Sequence, residues 1–329
     1  MKMYKVVSLF AGCGGCDQGI VGDFEFNNLV YKKLPYKLVY AMDIDQKALD
    51  THKLNFKATQ IRCEDICNVD VDEIPDCDIV IGGFPCQSFS TVNPTKDPFD
   101  DRANLYKQMV RVVKAKQPLA FIAENVKGLM TLHKGEIFKR VTSAFEEAGY
   151  TLSYQLMNAA DYGVPQKRER VIIVGFRNDL NRKFVFPKET NKNNWVPLSV
   201  AVPHLAIEEQ KYYFSQRAVE GMKNAKPNMK RGLWQRLDEP CLTVTSHLAK
   251  VSLNSRDPVL LVDAEKELYR RFTPREAARI QSFPDKFEFA GTETDAYRQI
   301  GNAVPPVLFW HVTNAVAKQL KAAKKEENA

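Results

Sequence analysis

Short apolar, β-leaning runs alternate with helix-like stretches through the first half of the chain, and that alternation most limits how it can fold. Residues 5–10, 38–42, 78–81 and 119–123 read as strands, and residues 46–55, 103–116 and 134–148 read as helices. The pattern predicts an α/β protein built on a parallel sheet with helices on both faces. Two further β-like runs, 152–157 and 171–176, flank a loop at 158–170 and would extend the same sheet. After Arg177 the texture changes. Pro187, Pro197, Pro203, Pro227, Pro240 and Pro258 interrupt residues 178–270 and polar residues are frequent, so a second, irregular lobe is expected there. Helical character returns at 274–282, with Thr273 as N-cap and Pro274 in the first turn, and a last helix is expected over residues 305–321.

A chain of 329 residues can bury one large core plus a smaller lobe. No run approaches the roughly 18 apolar residues of a membrane span. The N-terminus enters a strand directly, without the apolar region of a secretory signal. Seven scattered cysteines do not form a disulfide framework, so reduced thiols and a cytoplasmic location are expected. Of the net charge of +7, most falls in residues 188–275, which carry 15 Lys+Arg against 10 Asp+Glu. An excess there suits a polyanionic partner, although a solvated basic surface would look the same.

Five segments at strand ends and in loops carry candidate chemistry. The strand at 77–81 runs into Gly82-Gly83-Phe84-Pro85-Cys86-Gln87-Ser88. Ligands bind outside the carboxyl ends of strands in open α/β sheets, and Pro85 constrains the loop that presents the Cys86 thiol. A lone cysteine is otherwise a small buried hydrophobe. The first strand feeds Phe10-Ala11-Gly12-Cys13-Gly14-Gly15, where glycines allow close approach of a ligand. Gly12 and Gly14 fit a dinucleotide fingerprint, but Asp17 holds its third glycine position, which weakens a pyrophosphate reading. The second strand ends in Asp43-Ile44-Asp45; Asp43 is placed to accept from ribose hydroxyls, and Asp45 to cap the next helix. An acid in Cys63-Glu64-Asp65-Ile66 could hold an adenine amino group. A nucleoside-type cofactor fits this set better than NAD. Glu124 follows the apolar strand 119–123, where burial disfavours its charge; a capping or salt-bridging glutamate would occupy the same position. Cys13-x2-Cys16 and Cys63-x3-Cys67 lack partners for a metal, so none is expected. His52, His133, His204, His247 and His311 form no ligand spacing and read as surface or capping residues.

These residues together resemble the bacterial DNA (cytosine-5)-methyltransferases of restriction-modification type, over nearly the whole chain. Residues 10–15 look like that family's first motif, Gly83-Phe84-Pro85-Cys86-Gln87 its nucleophile loop, and Glu124-Asn125-Val126 its glutamate motif. Gln166-Lys167-Arg168-Glu169-Arg170 matches its Q-x-R-x-R element. Residues 271–279 resemble its ninth motif and Gly301-Asn302-Ala303-Val304 its tenth. The family's usual acid after the second strand is Glu, where this chain has Asp43.

The resemblance implies a Rossmann-like, S-adenosylmethionine-dependent methyltransferase sheet with a smaller, irregular target-recognition domain. Residues 1–184 would form the catalytic and cofactor domain, 185–270 the recognition domain, and 271–329 a return to the first. It further implies a thiolate at Cys86 adding to C6 of a cytosine flipped from duplex DNA, and Glu124 engaging the base. Gln87 and Asn125 would support the loop, and Arg168 and Arg170 would lower the thiol's pKa or hold the base. S-adenosyl-L-methionine, leaving as S-adenosyl-L-homocysteine, would contact Phe10, Ala11, Gly12, Gly14, Gly15, Asp43, Ile44, Asp65, Ile66, Pro85, Leu105, Asn302, Ala303 and Val304. Ser88, Arg231, Arg236, Thr243 and Lys250 would face double-stranded DNA. Members of the family act mostly as monomers, without a membrane. Three rival readings carry different signatures. A tRNA-directed relative would show a Cys-Phe-Thr signature that is not found here, a silent DNA-binding homologue would lack the Pro-Cys-Gln and Glu-Asn-Val motifs, and an NAD oxidoreductase would have an unbroken glycine fingerprint.

Overall fold

A computed structural model describes residues 3–85, 105–224, 234–250 and 258–326. Its centre is a seven-stranded sheet in the order β5-β4-β1-β6-β7-β10-β8. The strands are β1 (Tyr4–Leu9), β4 (Tyr36–Asp43), β5 (Gln60–Cys63), β6 (Ile79–Gly82), β7 (Ala120–Val126), β8 (Tyr150–Asn158) and β10 (Glu169–Arg177). Six of them run in the same direction; β10 alone is reversed, antiparallel to both its neighbours β7 and β8. The parallel α/β sheet expected from the sequence is present, with β10 as its one antiparallel strand. The chain order reverses between β1 and β6, so the loops after these two strands open on one crevice, the usual ligand position in such sheets.

Alternate residues of each strand enter different cores. Val6, Ile79, Ile81, Ile122 and Val174 pack beneath α1 (Gly15–Val21) and α8 (Pro306–Glu326). Val7, Val80, Phe121 and Ile173 pack against α3 (Tyr106–Lys116) and α4 (Glu136–Glu147). This period of two along strands buried on both faces explains why the runs read as continuously apolar. Asp45 caps α2 (Gln46–Asn55), its side chain accepting from the backbone N–H of Lys47 and Ala48. A hairpin of β2 (Phe24–Phe26) and β3 (Leu29–Tyr31) precedes β4. Its turn is made by Asn27 and Asn28, both in the left-handed region.

The irregular lobe contains α5 (Gln216–Lys223), β11 (Cys241–Leu242), which pairs with β9 (Gln166–Lys167), and the hairpin of β12 (Leu260–Asp263) with β13 (Leu268–Arg270). Leu198, Val202, Cys241, Val244 and Leu260 share a third core with Phe272, Ile280, Phe283, Tyr297 and Ile300. The last three segments of chain thus divide: α6 (Pro274–Ile280) and α7 (Glu293–Asn302) pack with the lobe, and α8 with the sheet. Thr273 and Glu276 form a capping box on α6, with Pro274 in its first turn. Glu276 also takes both ends of the buried Arg270 guanidinium at 2.7 and 2.8 Å, while Arg270 donates to the carbonyls of His204 and Leu205. No described helix is long and apolar enough to cross a membrane.

Two histidines differ from the expected surface positions. His52 is fully buried on the Phe56 ring and faces the buried Asp17 at 3.7 Å. His311 lies among the rings of Tyr31, Tyr162 and Trp310, and burial pushes its pKa from 6.5 down to about 4. Because the folded value is depressed, the unfolded chain binds more protons between these two values. Stability from this residue is complete above about pH 6.5 and is lost as pH falls toward about 4. Urea unfolding across that window should show the loss, and His311→Phe should shrink it.

Candidate active site

The crevice between β1 and β6 is built from opposing loops. β6 stops at Gly82, which pairs with Ala123, but β7 continues through Glu124, Asn125 and Val126. These three residues therefore stand beside the Gly83-Phe84-Pro85 segment. The Asn125 side chain donates to the Phe84 carbonyl at 2.8 Å and accepts from the Val126 N–H at 2.9 Å, fixing the segment that leads to residue 86. A Cβ on Gly83 would stand 2.9 Å from Glu124 Oε2, so only glycine leaves that carboxylate its place. The other carboxylate oxygen accepts from Arg170 Nε at 2.7 Å. Strand register explains the pair: Arg170 lies opposite Val126, diagonal to Glu124 on the same face. Glu124 is thus both partly buried at a strand mouth and salt-bridged.

The Gln166-to-Arg170 element is divided by its contacts. Gln166 is buried; its amide donates to Gln281 Oε1 at 2.8 Å and its oxygen accepts from the Val244 N–H at 2.9 Å. Arg168 is also buried and donates to the carbonyls of Val244, Gly301 and Ala303, each at 3.0 Å. Burial is the main cause that drives its pKa well down, with Arg170 adding to the effect and Glu124 opposing it. Its guanidinium donates to backbone carbonyls and clamps the residue 244 and 301–303 segments together. Arg170 alone of the two reaches Glu124. Lys167 and Glu169 point to the other side and, with Val126, Lys127, Gly128, Asn158, Arg170 and Thr243, line an open cleft of about 450 Å³. The Thr243 hydroxyl donates to the Lys167 carbonyl at 2.8 Å. Lys127, Asn158, Lys167 and Glu169 escaped the sequence reading because nothing in their spacing distinguishes them from solvated polar residues.

Across the crevice, Phe10 and Gly12 both adopt positive φ, 53° and 54°. For Phe10 this is a strained geometry of the kind held at binding sites. Ala11 donates to the Met42 carbonyl, and Gly12 N–H donates to Asp43 Oδ2 at 2.8 Å. Asp43 Oδ1 accepts from the Asp45 N–H. Asp43 thereby ties the glycine loop to the end of β4, and burial pushes its pKa up against these hydrogen bonds. Ile44 beside it leaves 71% of its surface exposed. Asp65 caps a short turn by accepting from the Cys67 N–H, Ile66 is buried, and Leu105 leads into α3. Glu64 is paired with Arg62 at 2.7 Å. A Cβ on Gly15 would stand 2.5 Å from the Val304 carbonyl oxygen and 3.1 Å from Ala303 Cβ, so the 303–304 segment covers the glycine loop, while Asn302 is exposed. Nothing lies within 4 Å of a Cβ on Gly12. An open face at Gly12, a carboxylate at Asp43 able to accept from hydroxyls and an exposed apolar side chain next to it fit S-adenosylmethionine in chemistry.

Cys86, Gln87, Ser88 and Arg231 lie outside the described residues. Arg236 is paired with Asp238, and Lys250 is exposed at the end of a single turn.

The sequence profile of the C-5 cytosine-specific DNA methylases matches residues 4–321. The chain is 33% identical over 345 residues to Type II methyltransferase M.FnuDI of Fusobacterium nucleatum, covering 98% of this chain and 96% of that one. It is 35% identical over 357 residues to Type II methyltransferase M.BsuRI of Bacillus subtilis, covering 95% and 79%. In fold it is similar to Entamoeba histolytica methyltransferase EhMeth, with a TM-score of 0.74 and 16% identity over 97% of this chain and 99% of the other. The chain therefore belongs to the C-5 cytosine-specific DNA methylases and is by family a DNA cytosine-5-methyltransferase.

Proposed function

We propose that this chain methylates C5 of a cytosine extruded from a short, specific duplex DNA sequence, through a covalent bond between Cys86 and C6. The observation that carries the reading is the crevice itself: Glu124, held by Arg170 and seated on Gly83, stands beside the segment that delivers Cys86, opposite the glycine loop. Bound S-adenosylmethionine would supply an electrophilic methyl group on its sulfonium. Phe10, Ala11, Gly12, Gly14, Gly15, Asp43, Ile44, Asp65, Ile66, Pro85, Leu105, Asn302, Ala303 and Val304 are the residues that would hold it.

Cytosine C5 is a weak nucleophile within the aromatic ring. Addition of the Cys86 thiolate to C6 makes C5 enamine-like and able to take the methyl group. Loss of the C5 proton and departure of the thiolate then restore the ring. Burial raises the pKa values of Cys13, Cys16, Cys77 and Cys241, Cys13 and Cys77 to about 12, which disfavours them as reactive thiols. The Glu124 carboxyl group would engage N3 and the exocyclic amine, offsetting charge that develops as the thiolate adds. Arg170 would position that carboxyl group. The stacked duplex hides C5 and C6, so the base must leave the helix, and the cleft bordered by Arg170 and Thr243 is suited to border it. Arg236, Thr243 and Lys250, with Ser88 and Arg231, would face the DNA. The division at residues 184 and 270 would separate catalysis from recognition.

Glu124→Gln keeps the shape of the side chain but removes its charge and its proton. It should lower kcat by about a hundredfold to a thousandfold with little change in KM for the methyl donor; a fall below about tenfold would remove Glu124 from the chemistry. The function itself is tested by methyl transfer from labelled S-adenosylmethionine to duplex DNA and to tRNA, with bisulfite sequencing of the DNA product. The reading predicts 5-methylcytosine in one short DNA context. Transfer to tRNA alone would overturn it.

A further inference from the structure

Among the described residues, every cation lining the cleft is already matched by a carboxylate of the same chain. Lys127 Nζ lies 2.9 Å from Glu169 Oε2, and Arg170 is held by Glu124 at 2.7 Å. Lys167 lies over the Trp195 ring, 5.1 Å from its centre, and 3.5 Å from Glu239 Oε2. The same Glu239 carboxylate reaches Arg236 Nε at 3.7 Å, and Arg236 also pairs with Asp238. Lys127, Glu169, Lys167 and Glu239 are all more than one-third exposed. For a chain of net charge +7 that works on a polyanion, a neutralised cleft edge is unexpected.

Exposed ion pairs of this kind stabilise the fold little, because water screens them and two flexible side chains must be ordered. They are therefore easily exchanged. A phosphate oxygen presents the same charge and acceptor geometry to a lysine as a carboxylate does, and the Trp195 ring would keep the Lys167 ammonium in place during the exchange.

Resting on the DNA-methylating reading, we propose that Glu169 and Glu239 are built-in counter-anions that hold Lys127 and Lys167 until the DNA backbone displaces them, and that they weaken binding to non-cognate DNA. Any duplex offers phosphates, but only a fully seated site presents them close enough to win both lysines from their carboxylates. The exchange also alters the salt dependence. A lysine that neutralises a phosphate releases a condensed cation from DNA, whereas a lysine still held by its carboxylate releases none.

The test uses the full-length protein and fluorescence anisotropy on a labelled non-cognate duplex over a range of salt concentrations. The Glu169→Gln/Glu239→Gln variant should bind about fivefold to twentyfold tighter near 0.1 M salt, and its log K against log salt should steepen by about 2, near 0.9 for each lysine released. Glu25→Gln makes the same type of charge change at an exposed position on β2, outside the cleft lining, and should leave affinity within about twofold. Thermal midpoints of the variants should match the parent, since the pairs carry little stability. Unchanged or weaker binding by the double variant, or an equal gain from Glu25→Gln, overturns the proposal. Absence of duplex binding by the parent protein overturns the underlying function as well.

Discussion

Cys86→Ser should lower methyl transfer to duplex DNA by about ten-thousandfold or more while leaving affinity for S-adenosylmethionine within about threefold. Serine keeps the size and hydrogen-bonding capacity of the side chain, but its hydroxyl stays protonated near neutral pH, whereas a thiol is partly ionised and intrinsically more nucleophilic. Without addition at C6, C5 remains part of an aromatic ring and cannot attack the methyl group. The loop should survive the change, because its anchors lie elsewhere: Asn125 on the Phe84 carbonyl, and the space that Gly83 leaves for Glu124. The residues proposed to hold the cofactor sit mainly on the loops after β1 and β4 and on residues 302–304. Kinetics of methyl incorporation and calorimetric titration check the two halves separately. Residual activity above about one-hundredth of the parent would deny Cys86 its role.

Arg168→Met should destabilise the protein by about 3–4 kcal/mol, as three carbonyls lose donors and methionine restores only part of the volume. The carbonyls of Val244, Gly301 and Ala303 belong to segments far apart in sequence, and one guanidinium holds all three. Close packing at Gly301 depends on the same contact, since a Cβ there would stand 2.2 Å from the Thr245 carbonyl carbon. Loosening residues 301–303 should also disturb Val304 against Gly15, so affinity for S-adenosylmethionine should fall in parallel with the urea midpoint. Arg168→Lys should recover little, because an ammonium cannot span the fork of acceptors. A loss below about 1 kcal/mol would mean that water replaces the guanidinium readily.

Parts of this architecture were legible because local and global signals agree. The strands of the first half are short, apolar and bounded by turns, and α2 begins and ends where Asp45 and the apolar spacing place it. The reversed direction of β10 was not legible, because an apolar run carries no sign of whether its neighbour is parallel. The β2–β3 hairpin had a turn signal in Asn27-Asn28, and α7 had one in the Thr292–Asp295 capping box, but each lies in a stretch of weak periodicity. At the site, Glu124 was found from its place at the end of an apolar strand, and Asn125 from the resemblance of Glu124-Asn125-Val126 to a family motif. Arg168 and Arg170 are two residues apart and so look equivalent in a strand; only the partners at 244, 301 and 303 turn one inward as a clamp and leave the other for Glu124. Likewise nothing beside His52 in sequence reveals Asp17 or the Phe56 ring that bury it.

The central claim, a covalent Cys86 adduct on cytosine, is tested most directly with duplex DNA carrying 5-fluorocytosine in the methylated position. Fluorine cannot leave C5 as a proton does, so the adduct formed in the presence of S-adenosylmethionine should persist through denaturing electrophoresis with the parent protein and be absent with Cys86→Ser. A complex that forms equally with Cys86→Ser would contradict the account.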